Sequence, residues 1–221
     1  MDQNFWLQRW QTSNIGFHSQ EVNPLLKHCI ESLNLPIGSR IFVPLSGKSI
    51  DMWWLAEQGY QVLGVELSTI ACHDFFKEHN IHPKFSKKSG FEIYENKQLH
   101  LYCGDFFNLS KELLLTIDLV FDSKALVALP EMMRKKYVNH MKKLLANSPK
   151  AQLIIIAFET VFESNKPPFY VSKKEIEKLF GQAFQVKKIA SITQKELPRH
   201  LQQQGYSEMT EAVYYLKLMH F

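Results

Sequence analysis

Hydrophobic positions along the chain switch repeatedly between two periods. Residues 21–33 place Val22, Leu25, Leu26, Cys29, Ile30 and Leu33 three or four apart, which predicts an amphipathic helix. Leu35-Pro36-Ile37-Gly38 breaks it. Arg40 to Leu45 is a short apolar run and predicts a buried strand, followed by a turn at Ser46-Gly47-Lys48-Ser49. Ile50 to Gln58 reads as helix, with Gly59 just past its end. Gln61 to Leu67 is strand and Thr69 to His79 helix, with Ile70, Phe75 and Phe76 as core candidates. Phe91–Tyr94 and Gln98–Tyr102 read as strands joined by a turn at Asn96-Lys97. There follow a strand from Ile117 to Asp122, a helix from Met132 to Leu145, a strand from Gln152 to Phe158 and a helix from Lys173 to Phe180. Phe184–Ile189 and Ala212–Lys217 are two last strands, placed side by side.

Strands alternating with helices require parallel pairing through crossover units. A final strand pair without a long helix between them makes an antiparallel edge. The chain shows no internal repeat and no linker-like stretch. The expected fold is therefore a single doubly wound, Rossmann-like α/β domain over residues 1–221. Residues 1–20, with Phe5, Trp6 and Trp10, are expected to form a cap or lid.

Composition narrows the classes of function. A chain of 221 residues that is 45% hydrophobic has ample material for a core, which excludes disorder. Lys plus Arg (26) barely exceeds Asp plus Glu (22), too mild a balance for a nucleic-acid binder. The short basic clusters, such as Arg134-Lys135-Lys136, read as solvated faces. Cys29, Cys72 and Cys103 are three, widely spaced and without a C-x-x-C, so neither a disulfide framework nor a cysteine zinc site is expected. His79 and His82 lack a nearby carboxylate partner for a metal, and no metal is expected. The opening Met-Asp-Gln-Asn-Phe-Trp is not a secretory leader, and no apolar run is long enough for a membrane helix. A cytoplasmic protein with no membrane partner is expected.

In an open α/β sheet, ligands bind beyond the carboxyl ends of the strands. The first such segment ends in Gly47-Lys48-Ser49, as a phosphate-binding loop does. That loop needs a second glycine five residues earlier, where this chain has Phe42. The G-x-G-x-x-G pattern of dinucleotide sites is also missing. Glu66 ends the second strand, nineteen residues after Gly47; of two readings, an ordinary strand-end carboxylate in water and an acceptor for ribose hydroxyls, the spacing favours the second. An acidic strand end without a phosphate loop fits S-adenosylmethionine, which has an adenosine and no phosphate. Gly104-Asp105-Phe106 follows the next strand and is open to two readings, Asp105 near an adenine amino group and an ordinary turn before a core Phe. Asp122 is open to two readings, a cofactor or pocket residue and a helix-capping carboxylate. Residues 165–171, from Asn165 through Pro167-Pro168-Phe169-Tyr170, are either an aromatic pocket wall or a plain rigid loop. Cys103 reads as packing.

Taken together, the motifs resemble one family. Phe5-Trp6, Arg9-Trp10-Gln11, Ile15-Gly16-Phe17-His18 and Val22-Asn23-Pro24-Leu25-Leu26 resemble the start of bacterial-type thiopurine S-methyltransferases. Val43-Pro44-Leu45, Asp51-Met52, Trp54-Leu55-Ala56-Glu57-Gln58-Gly59, Val65-Glu66-Leu67-Ser68 and Cys103-Gly104-Asp105-Phe106-Phe107 continue in order. Ala125 to Pro130, Pro167-Pro168-Phe169, Pro198-Arg199 and Tyr214 to Leu216 extend the likeness over nearly the whole chain. The resemblance implies a seven-stranded sheet of the S-adenosylmethionine-dependent methyltransferase type, mostly parallel, with an N-terminal cap. It implies cofactor contacts at Trp10, Leu45 and Glu66, with Gly104 and Asp105 near the adenosine, and Phe17 and Arg199 on the substrate side. At Ser123, another cofactor-site position, the family has an arginine, and Lys124 is its neighbour here. The implied reaction is methylation of thiopurines or aromatic thiols by a monomer acting on a small molecule, with S-adenosylhomocysteine as product. Alternatives are methylation of selenium or tellurium oxyanions and a non-catalytic protein of the same fold.

Overall fold

The computed structural model describes residues 3–160, 166–197, 199–203 and 205–219. Five parallel or near-central strands begin where the apolar runs lie. They are β1 (Arg40–Val43), β2 (Gln61–Glu66), β5 (Leu99–Cys103), β6 (Leu119–Asp122) and β7 (Gln152–Phe158). The hairpin of β3 (Lys84–Lys88) and β4 (Phe91–Asn96) precedes β5, and β8 (Phe184–Gln194) and β9 (Met209–Leu218) close the chain. All nine join one sheet in the order β3-β4-β5-β2-β1-β6-β7-β9-β8. The pairs from β5 through β7 are parallel, and β4 and β9 run against their neighbours.

The count is nine strands, not seven. Seven of them, from β5 to β8, form the expected doubly wound core with its antiparallel edge, and the β3–β4 hairpin adds two more at the opposite edge. Strand β3 has no buried position, so its Lys-Phe-Ser-Lys-Lys sequence carries no period-two signal. Exposed lysines on such an edge discourage pairing with another chain.

The helices are α1 (Gln3–Gln11), α2 (Pro24–Leu33), α3 (Ile50–Glu57), α4 (Thr69–Glu78), α5 (Lys111–Leu114), α6 (Ala125–Ala128), α7 (Glu131–Leu144), α8 (Lys173–Phe180) and α9 (Arg199–Gln202). Caps fix where several begin. The side chains of Asn23, Ser49, Ser68 and Ser172 each accept a backbone N–H from the first turn of α2, α3, α4 and α8. That is why α2 starts at Pro24 and not at residue 21.

Alternate residues of the central strands supply two cores. Ile41, Val43, Leu119, Phe121, Ile154 and Ile156 pack on the side of α2, α3 and α4. Phe42, Val120, Leu153, Ile155 and Ala157 pack on the side of α7 and α8. Helices on both faces leave the carboxyl ends of β1, β2, β5 and β6 as the open edge.

Gly64 sits where that edge is tightest. A Cβ there would lie 2.7 Å from Met52 Sδ, 2.8 Å from Leu101 Cδ1 and 2.9 Å from Ser46 Oγ. Gly64→Ala is expected to destabilise the protein by about 1–3 kcal/mol through overpacking. A thermal melt checks this, and an unchanged midpoint would show that α3 and the turn can yield.

Candidate functional site at the carboxyl edge

Glu66 closes β2 and is buried, with 7% of its surface exposed. Its Oε2 accepts the Gly47 N–H at 2.9 Å, and its Oε1 accepts the Ser68 N–H at 2.7 Å. One carboxylate thus ties the turn after β1 to the start of α4. Burial pushes its pKa up, opposed by backbone N–H bonds from Ser68, Gly47 and Leu67. A carboxylate offers about four lone-pair sites, so acceptor capacity remains.

The turn after β1 is held in an uncommon shape. Leu45 takes φ +47° and Gly47 φ +56°. Ser46 N–H donates to the Val65 carbonyl at 2.9 Å and fastens the turn to β2. Strain of this kind at a non-glycine residue is found at ligand-binding turns. Gly47 also needs its missing side chain, because a Cβ would lie 3.3 Å from Trp10 Cζ2. The Lys48 ammonium is not directed at this turn. It is buried against Glu78 at 2.5 Å and Asp74 at 3.7 Å. The turn therefore lacks both the glycines and the cation of a phosphate cradle.

The cap lies over the same edge. Trp10 is buried, and the Phe17 ring meets Trp6 and Trp10 edge-on at centroid distances of 5.6 and 5.5 Å. Asp105 Oδ2 accepts the Gln3 side-chain amide at 2.7 Å, and its Oδ1 accepts the Phe107 N–H at 2.9 Å. Gly104 N–H donates to the Glu66 carbonyl at 2.8 Å. Trp10, Glu66, Gly104, Asp105 and Phe17 are thereby joined along one edge, and Leu45 opens the turn beside them.

Two other positions resolve differently. Asp122 Oδ1 accepts the Ala125 and Leu126 N–H groups at 2.9 and 3.1 Å, and Oδ2 accepts the Tyr137 hydroxyl at 2.7 Å. Both oxygens serve α6 and α7, so of its two readings the capping one describes Asp122. Ser123 is buried beside it, and the Lys124 ammonium donates to the Phe17 carbonyl at 2.8 Å. Arg199 opens the short α9 on an exposed surface. Pro198, Asn165 and the first two residues of the expected cap lie outside the described residues. The Phe169 N–H bonds the Val127 carbonyl at 2.7 Å, and the Arg134 guanidinium lies 5.8 Å from the Phe169 ring centre. That loop is therefore held against α6 and α7.

The structure adds Ser68, Gln3 and Lys124 to this edge. Only Ser68 carried a signal, as a serine directly before a helical run. Gln3 and Lys124 act across 102 and 107 residues, which no local pattern reports.

Comparison with known proteins decides the lineage. A profile of the thiopurine S-methyltransferase family matches residues 1–219. The chain belongs to that family. A thiopurine S-methyltransferase of Nitrosospira multiformis is 40% identical over 218 residues, covering 98% of both chains. Another, from Pseudomonas fluorescens, is 40% identical over 186 residues, covering 84% of this chain and 83% of the relative. The fold is that of the S-adenosylmethionine-dependent methyltransferases. It is similar to the Burkholderia thailandensis 1,6-didemethyltoxoflavin-N1-methyltransferase, solved with its substrate and S-adenosylhomocysteine. That likeness has a TM-score of 0.67 at 12% identity, over 99% of this chain and 87% of the other. Among the described residues, no helix of this thiopurine S-methyltransferase family member is long and apolar enough to cross a membrane. Nor do any three His, Cys, Asp or Glu side chains group as they would around a metal.

Proposed function

We propose that the protein methylates the sulfur of thiopurines or aromatic thiols, using S-adenosylmethionine, as a cytoplasmic monomer without nucleic-acid or membrane partners. The observation that carries the reading is Glu66. It is a buried carboxylate with acceptor capacity left, set at the end of β2 beside a turn that lacks a phosphate cradle. That donor set fits an adenosine group without phosphates.

When bound, S-adenosylmethionine supplies a sulfonium methyl group open to in-line displacement by a sulfur nucleophile. Glu66 accepts a hydrogen bond from the ribose with the lone-pair site its backbone partners leave open. Leu45 and its turn hold the methionine portion, and Trp10 covers it. Gly104 and Asp105 border the adenosine, and Ser123 lines the neighbouring wall in place of a larger side chain. Phe17 faces the acceptor from the cap, and Arg199 approaches from α9. The chain contributes orientation and exclusion of water. Thiopurines and aromatic thiols are acidic enough to react without a dedicated base.

The test is an acceptor panel with methyl-labelled S-adenosylmethionine, comparing a thiopurine, thiophenol, selenite and tellurite. S-methylated thiopurine and thiophenol are expected as the main products. Methylated selenium or tellurium with no thioether would overturn the acceptor assignment.

A further inference from the structure

The loop between α1 and α2 carries Phe17 and ends at Asn23, and three separate parts of the carboxyl edge hold it. Lys124, just before α6, donates to the Phe17 carbonyl at 2.8 Å. Asp51, buried in the first turn of α3, accepts the Asn23 N–H at 2.8 Å. Glu211, paired with Phe158 at the end of β7, faces the Asn23 side chain.

These groups also act on one another. Burial pushes the Asp51 and Glu211 carboxyls up, and the Lys124 cation offsets part of that rise in each. Burial pushes the Lys124 ammonium down, and the two carboxylates offset part of that shift. The same ammonium is the donor that reaches the cap. From Phe17 the contact runs on, through its edge-on packing with Trp6 and Trp10, to Trp10 against Gly47 and to Gly47 on Glu66.

We propose that Lys124 is a positioning residue for methyl transfer: its bond to the Phe17 carbonyl sets the Phe17 loop and so holds the cap over the Glu66 turn. It touches no reacting atom and acts through Phe17. The effect on turnover rests on the methyl-transfer reading above. The latch itself does not, because it is a property of the unliganded chain.

Two variants separate these. Lys124→Met keeps the stem and loses the donor and charge, and Lys124→Arg keeps both. Hydrogen exchange of the unliganded proteins would be followed at the Asn14 and His18 amides. They are bonded to the Arg9 and Ile15 carbonyls within the cap. Losing one charge-assisted bond is expected to speed their exchange about tenfold in Lys124→Met. Lys124→Arg is expected to stay near wild type, as are the β1 and β2 amides in both variants. Wild-type exchange at the cap of Lys124→Met would overturn the latch, whatever the activity. With an aromatic thiol, KM is expected to rise about tenfold in Lys124→Met and to recover in Lys124→Arg. Unchanged kinetics with a loosened cap would overturn the positioning role. Absence of turnover in the wild type would count against the methyl-transfer reading, while exchange alone decides the latch.

Discussion

Glu66→Ala is expected to raise the KM for S-adenosylmethionine by about ten- to a hundredfold. With three backbone N–H bonds on it, the carboxylate has one lone-pair site left for the ribose, and a bond to a charged acceptor contributes about 1.5–3 kcal/mol. The substitution also leaves the Gly47 and Ser68 N–H groups without their acceptor, so the turn after β1 loses its tie to α4. Glu66→Gln is expected to fail as well, though less severely. One of its two terminal atoms becomes a donor, and it then faces a backbone N–H that is also a donor. Steady-state kinetics at saturating acceptor check both variants. A KM within twofold of wild type for Glu66→Ala would show that the ribose is held elsewhere.

The largest effect on stability is expected at Asp122. Asp122→Ala removes the acceptor of three hydrogen bonds, from the Ala125 and Leu126 N–H groups and from the Tyr137 hydroxyl. Tyr137 is only 1% exposed, so water does not take over. Orphaned buried donors cost about 1–3 kcal/mol each, and a loss of about 3–5 kcal/mol is expected. For a chain of this size that lowers the melting midpoint by roughly 10 °C. Asp122→Asn keeps an acceptor for the α6 amides, and its amide can donate to the phenol oxygen, so it is expected to fold nearly as well. Burial also raises the Asp122 pKa from its ordinary 3.8 to about 6. A carboxyl whose folded pKa stands above its unfolded one takes up a proton on folding. Its contribution therefore makes the wild type less stable as pH rises from 3.8 to about 6. Asp122→Asn lacks that slope. Denaturant melts of the two proteins across this range check the difference, and parallel curves would contradict it.

The parts of the fold that were legible in the sequence are those whose burial leaves a period. Continuous apolar runs marked β1, β2, β6 and β7, each covered on both faces. Strand β3 was silent because every one of its side chains is exposed. Helices α5, α6 and α9 span a single turn each, too short for a 3.6-residue period to register. Glu66 stood out because an acidic residue ending an apolar strand is conspicuous. The two readings of Asp122 were inseparable in sequence, since a capping carboxylate and a pocket carboxylate occupy the same place after a strand. The bonds that Asp122 takes from the Ala125 and Leu126 N–H groups and from Tyr137, fifteen residues later on α7, show the capping role. The bond from Lys124 to Phe17 was out of reach for a related reason. Its neighbour Ser123 turns inward while Lys124 crosses to the cap, a choice made by tertiary packing.

The central claim is that the carboxyl edge from Leu45 to Asp105, closed by Trp10, binds S-adenosylmethionine. Calorimetric titration of the wild-type protein with S-adenosylhomocysteine tests it most directly. Saturable binding of one ligand per chain is expected. A folded protein that gives no saturable heat would contradict the account.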